Sequence, residues 1–162
     1  MKNIDVVDSQ HLEDWNVNFP NLTVLCLQGM TSRSASTILH FVRKQVRHLT
    51  MKEIKLDIND MTMDLPNLQE FHIVDVKGKG TITSLLQVPG PKLKQLKLKK
   101  LNMNGRRVDT RFEELEDLII EGNTNVSLNA LLVIPGRSLK KLSIKNNHLL
   151  NEGQPRWKQG RK

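Results

Sequence analysis

The side chains best suited to nucleophilic or metal chemistry are five histidines, His11, His40, His48, His72 and His148, and one cysteine, Cys26. None stands at a diagnostic spacing. GxSxG, P-loop, HExxH and CxxC motifs do not occur, and no His/Cys grouping has zinc-site spacing. Cys26 and His72 share the outward middle position of strands two apart in the pattern described below. At ~4.8 Å per strand they lie roughly 10 Å apart, beyond hydrogen-bond reach, so a thiolate–imidazole dyad fails on geometry. The KGKG run at 77–80 has the glycines that let backbone N–H groups approach a phosphate. It reads better as a polar turn. The sequons at Asn21 and Asn125 acquire meaning only in a secreted chain. These residues point away from catalysis and imply no metal and no cofactor.

The elements that would position any functional side chain are repeats. LxxLxL spacing recurs at Leu22-Leu25-Leu27, Met51-Ile54-Leu56, Leu68-Phe71-Ile73, Leu93-Leu96-Leu98, Leu115-Leu118-Ile120 and Leu139-Leu142-Ile144, after a degenerate Met1-Ile4-Val6. Asn59, Asn123 and Asn147 follow three of these segments, where a side-chain amide can satisfy turn backbone groups. The steps between first positions are 21, 29, 17, 25, 22 and 24, averaging 23, a leucine-rich-repeat length. Two apolar residues two apart share one face of a strand, so each segment buries one face and presents the other. A double period is also present: FPNLTVLCL (19–27), LPNLQEFHI (65–73) and FEELEDLII (112–120) align at offsets of 46 and 47, and the PG-LKxL segments 84–98 and 130–144 align at 46. Between the two unit types lie helix-like inserts. Ile38, Leu39, Val42, Val46 and Leu49 form an apolar stripe opposite Arg43, Lys44 and Arg47. Shorter stripes, Ile82-Leu85-Leu86 and Leu128-Leu131-Leu132, each end at Pro-Gly, a helix stop.

The outward strand positions then define a candidate binding face. Reading Glu53, Lys55 and Asp57 as the outward residues of the third unit, the face carries five lysines and six carboxylates. Its candidate partner-binding residues are Lys55, Asp57, His72, Val74, Lys97, Lys99, Asp117, Ile119, Glu121, Lys141 and Lys145. Val74 and Ile119 within a charged frame have the composition of a protein interface. Positive charge concentrates elsewhere, with eight Lys or Arg against one Asp in 92–111. Lys92, Lys94, Lys100, Arg106, Arg107 and Arg111 therefore form an alternative, nucleic-acid patch.

Over residues 1–150 the spacing resembles the leucine-rich-repeat superfamily. Its alternation of a [F/L]PNL unit with a helix-bearing unit is similar to the arrays found behind F-box modules. The resemblance implies an α/β solenoid, a horseshoe arc with a parallel β-sheet on the concave face and short helices and loops on the convex face. It also implies capture of a protein substrate for a ubiquitin ligase. The sequence contains neither an F-box nor the cysteine-rich caps of Toll-like-receptor ectodomains, so either family would be represented by a fragment or a reduced member.

Composition agrees with such an array. With 162 residues, 38% apolar, 4% aromatic and no tyrosine, burial falls to Leu, Ile, Val and Met in a single domain. About seven repeats fill 1–150, and 151–162 reads as a basic, flexible tail. No apolar run reaches the ~18 residues of a membrane span, and the opening segment lacks a hydrophobic signal core. One cysteine fits a reducing compartment, cytoplasmic or nuclear, with an extracellular location expected only for a fragment of a secreted protein. The expected function is protein binding through the strand face. The alternatives are a fragment of an extracellular recognition receptor and an RNA-associated scaffold using 92–111. Apolar ends without covers predict self-association.

Overall fold

The computed structural model describes 19–56, 64–78, 85–103, 112–127 and 134–149, together with the backbone of 2–7. The molecule is α/β. Seven parallel strands form one sheet in chain order: β1 (Lys2–Val7), β2 (Leu22–Gln28), β3 (His48–Lys52), β5 (Glu70–Val74), β7 (Gln95–Lys99), β8 (Asp117–Glu121) and β9 (Lys141–Lys145). Two short strands, β4 (Lys55–Leu56) and β6 (Lys77–Gly78), pair separately. Helix α1 (Ser32–Val42) lies between β2 and β3.

Alternation explains the strands. In β3, β5, β7 and β8 every second residue is buried, and the inward pairs Leu49/Met51, Phe71/Ile73, Leu96/Leu98 and Leu118/Ile120 are at most 1% exposed. Val46, Leu68, Leu93 and Leu115, three residues ahead of each pair, are buried as well. Complete burial of such side chains contributes about 1.5–3 kcal/mol each. The chain-order stacking makes each layer bury its neighbour. β9 departs from this pattern, with Leu142 and Ile144 44% and 39% exposed at the edge of the sheet.

The third unit begins five residues earlier than its spacing suggested, at Val46-Leu49-Met51, because the strand is His48–Lys52. Two runs with apolar residues two apart lie in succession here, Leu49/Met51 and Ile54/Leu56, and all four residues are buried. Only the first meets β2 and β5 in register, Leu25 with Leu49 and Leu49 with Phe71. The second leads into β4. The expected helix is correspondingly shorter. Thr31 caps α1 by accepting from Ser34 N at 3.2 Å, and Ala35, Ile38, Leu39 and Val42 are its buried apolar stripe. Beyond Val42 the carbonyl bonds of its last turn give way to Arg47 N donating to Thr23 O at 2.9 Å, which draws the chain into the sheet. Val46 and Leu49 therefore belong to the strand unit, not to the helix. Leu85 and Leu86 are helical and buried; Ile82, Leu128, Leu131 and Leu132 lie outside the described residues.

β3, β5, β7 and β8 are pinned at both ends by the same contacts. At the entry, the carbonyls of Arg47, Gln69, Lys94 and Glu116 each accept two successive N–H groups of the next unit at 2.7–3.0 Å. At the exit stands a left-handed residue: Gly29, Glu53, Asp75, Lys100, Gly122 and Asn146 all have φ between 50° and 70°. Five of them donate N–H across to the next strand's last residue at 2.9–3.1 Å. Two residues of Pro-Gly type serve the opposite corner. Pro89 and Pro135 bridge to Leu65 and Phe112, and a Cβ on Gly136 would lie 2.5 Å from Glu113 Cα. The Pro-Gly pairs thus do more than stop a helix; their glycines let two backbones touch.

One position after the left-handed residue, Met30, Ile54, Val76 and Leu101 give way to Asn123 and Asn147. Buried Asn123 accepts from Leu101 N at 2.8 Å and donates to Leu98 O at 3.0 Å; Asn147 accepts from Asn123 N at 2.9 Å and donates to Ile120 O at 2.9 Å. The expected terminal amide is therefore present in these two units. Asn59, outside the described residues, belonged to the displaced register.

The left-handed column yields a paired prediction. Gly29 has open space for a Cβ, so Gly29→Val should lose about 1–2 kcal/mol from backbone conformation alone. Lys100→Gly relieves the same strain but adds unfolded-state entropy worth about 0.5–1 kcal/mol, leaving it neutral or more stable by up to ~1.5 kcal/mol. Urea unfolding of both variants checks this, and equal losses would refute the column.

Candidate functional site

The register places outward side chains in three straight rows across the sheet. One runs Val24, His48, Glu70, Gln95, Asp117, Lys141; the next Cys26, Thr50, His72, Lys97, Ile119, Ser143; the third Gln28, Lys52, Val74, Lys99, Glu121, Lys145. His72, Val74, Lys97, Lys99, Asp117, Ile119, Glu121, Lys141 and Lys145 are therefore brought together as expected. Lys55 is not: it pairs with Lys77 in the β4–β6 sheet. Asp57 lies outside the described residues. Their places on the face are taken by His48, Thr50 and Lys52, missed because the third unit was read five residues late. With them the face carries, from β2 to β9, five lysines and three carboxylates, and the last three strands alone hold four lysines against Asp117 and Glu121.

Hydrogen bonds tie the first half of this face together. His48 Nδ1 lies 3.0 Å from Glu70 Oε2. His72 Nε2 is 2.9 Å from Gln95 Oε1, and Gln95 Nε2 donates to Asp117 Oδ2 at 3.4 Å. His72 is thereby engaged with an amide, and Cys26 lies two strands away in its row. In the second half Lys99 Nζ meets Glu121 Oε1 at 3.1 Å. That hydrogen bond holds the Glu121 carboxyl below the ordinary glutamate value, with Lys99, Lys97 and Lys145 adding Coulombic attraction against some desolvation. At the strand entry, Lys140 Nζ at 2.8 Å does the same for Glu116. Among the described residues, no other ion pair within 4.0 Å is made by the lysines of β7 and β9.

Of the alternative basic patch, Lys92, Lys94 and Lys100 are among the described residues. Lys92 and Lys94 precede β7 and Lys100 follows it. At ~3.3 Å per residue, Lys94 and Lys100 stand roughly 20 Å apart. Lys92 donates to Asn67 Oδ1 at 3.0 Å. Arg106, Arg107 and Arg111 lie outside the described residues.

Among the described residues there is no grouping of three or more His, Cys, Asp or Glu able to hold a metal. No described helix is long and apolar enough to cross a membrane. No family model, curated protein or solved structure matches the chain.

The two lowered carboxyls separate by site. Lys99→Met should raise the Glu121 carboxyl toward the ordinary value near 4.3 and leave Glu116 unchanged, while Lys140→Met should do the reverse. Because both are depressed, their stabilisation is complete above the ordinary glutamate range and fades as pH falls through the folded values. Carboxyl-carbon NMR titration measures each, and a shift of both by either variant would contradict the pairing.

Proposed function

We propose that the chain is a non-catalytic protein-interaction module, a short leucine-rich-repeat solenoid whose parallel sheet lines the concave binding face. The observation that carries this reading is the row structure: six in-register strands, β2, β3, β5, β7, β8 and β9, present side chains, with Val74 and Ile119 set among charges. Such a surface offers apolar anchors inside a polar frame. The left-handed residue that closes six of the seven main-sheet strands supports the solenoid. The resemblance to arrays behind F-box modules supports a more specific role, substrate recognition for a ubiquitin ligase in the cytoplasm or nucleus. Carboxylates among the lysines, and the distance between Lys94 and Lys100, weigh against the nucleic-acid reading.

A photo-crosslinking amino acid placed in the full chain at position 72 or 119 should trap protein in cells, whereas one at exposed Phe41 on α1 should not. Equal trapping from position 41, or RNA adducts from 72 and 119, would overturn protein binding through this face. Trapped proteins whose half-life lengthens when the chain is depleted would support the ligase role; unchanged half-lives would remove it.

A further inference from the structure

Resting on that reading, we propose that β7, β8 and β9 form the selecting part of the face and take an extended acidic peptide segment with carboxylates two residues either side of an apolar residue. The central side chain of this patch is Ile119, partly exposed, with Lys97 beside it on β7 and Ser143 on β9. Lys99, Lys141 and Lys145 stand at three corners, and Gln95 at the fourth. Of the four lysines only Lys99 has an ion pair, with Glu121. Lys97, Lys141 and Lys145 make no ion pair or side-chain hydrogen bond among the described residues. Asp117, opposite Lys141 in register, is held by Gln95 instead.

The surplus positive charge thus surrounds an apolar centre on two sides. In an extended peptide, residues i−2, i and i+2 face the same way at ~6.6 Å intervals. An apolar residue over Ile119 then carries its flanking carboxylates toward β7 and β9, whose strands lie ~4.8 Å either side of β8. The four-carbon stem of lysine spans the difference. A nucleic-acid backbone fits less well, because its unbroken phosphates would meet Asp117 and Glu121 between the lysines and leave Ile119 without an apolar partner. Electrostatic complementarity of this kind sets which partner is accepted more than how tightly it binds.

The test is fluorescence anisotropy of the purified full chain with a labelled peptide, Gly-Ser-Asp-Ser-Leu-Ser-Asp-Ser-Gly. Comparison probes carry Asn for both Asp, or Ser for Leu, and a single-stranded oligouridine serves as the nucleic acid. The acidic peptide should bind in the high-micromolar range, and both altered peptides should bind more weakly. Lys97→Glu and Lys145→Glu should each weaken it about tenfold, since each removes an attraction and adds a repulsion. Glu121→Gln should tighten it. Arg33→Glu, exposed in the first turn of α1 and off the strand face, should change it little, and circular dichroism of each variant confirms folding. Equal binding of the Asn peptide, indifference to the lysine reversals, or tighter binding of oligouridine through the same lysines overturns the proposal. If the peptide fails while crosslinks from position 119 persist, the acidic specificity alone is lost; if those crosslinks also vanish, the binding face itself is wrong.

Discussion

The left-handed turn that closes each strand is the constraint on which the rest of the structure depends. A parallel strand cannot be joined to its neighbour by a tight hairpin, so the chain leaves the sheet and must return in register. A slip of one residue would send every leucine to the outward side. Six successive units end their strands with a residue at φ between 50° and 70°, and five of those residues donate to the next strand's final carbonyl. That shared bond fixes where β2, β3, β5, β7 and β8 stop, and the doubly accepting carbonyl at the entry of β3, β5, β7 and β8 fixes where those four start. Between these pins the intervening segment can vary in length, and can hold α1 as it does between β2 and β3, without disturbing the rows. Non-glycine residues at four of the six turns show that the ladder over-determines a conformation that costs L residues about 1–2 kcal/mol.

Much of this was legible because strand periodicity and apolar burial write the same pattern. The outward rows of β2, β5, β7, β8 and β9 follow directly from alternation, and α1 from its apolar stripe. The third unit was misread for a physical reason: Ile54 and Leu56 are as buried as Leu49 and Met51, so side-chain type alone does not distinguish a main-sheet strand from the β4 strand that follows it. Length carried the missing information. Starting units at 1, 22, 46, 68, 93, 115 and 139 turns the irregular 29 and 17 into 24 and 22, in keeping with the alternation of the other steps. The roles of Gly90 and Gly136 were less accessible. Both approach the backbone of a unit more than twenty residues earlier, and no local pattern reports that contact.

The site was legible only as a set of positions. Which of its charges are spent depends on rotamers and on diagonal reach between strands, as in His72 to Gln95 and Gln95 to Asp117. A residue count gave a face close to neutral, and the corrected register leaves it nearly so. The distribution matters more than the total. Through β5 the acid of the face, Glu70, meets His48, whereas β7 and β9 hold four lysines for the two carboxylates of β8.

That asymmetry bears on how the surface is used. Charges on a sheet that serve only to keep it solvated need no arrangement, and exposed pairs add little stability, about 0–1 kcal/mol each. Here Asp117 bonds to an amide although a lysine stands opposite it, and Glu121 is drawn upon by three lysines while pairing with one. Folding therefore leaves Lys97, Lys141 and Lys145 without an ion pair among the described residues. Charge left uncompensated around Ile119 repels itself in the free chain, and an anionic group placed there relieves that repulsion as well as making its own contacts. Binding of an acidic segment would accordingly be favoured by what the free surface lacks, which is the physical basis for assigning selectivity to these three strands and not to the internally paired half of the sheet.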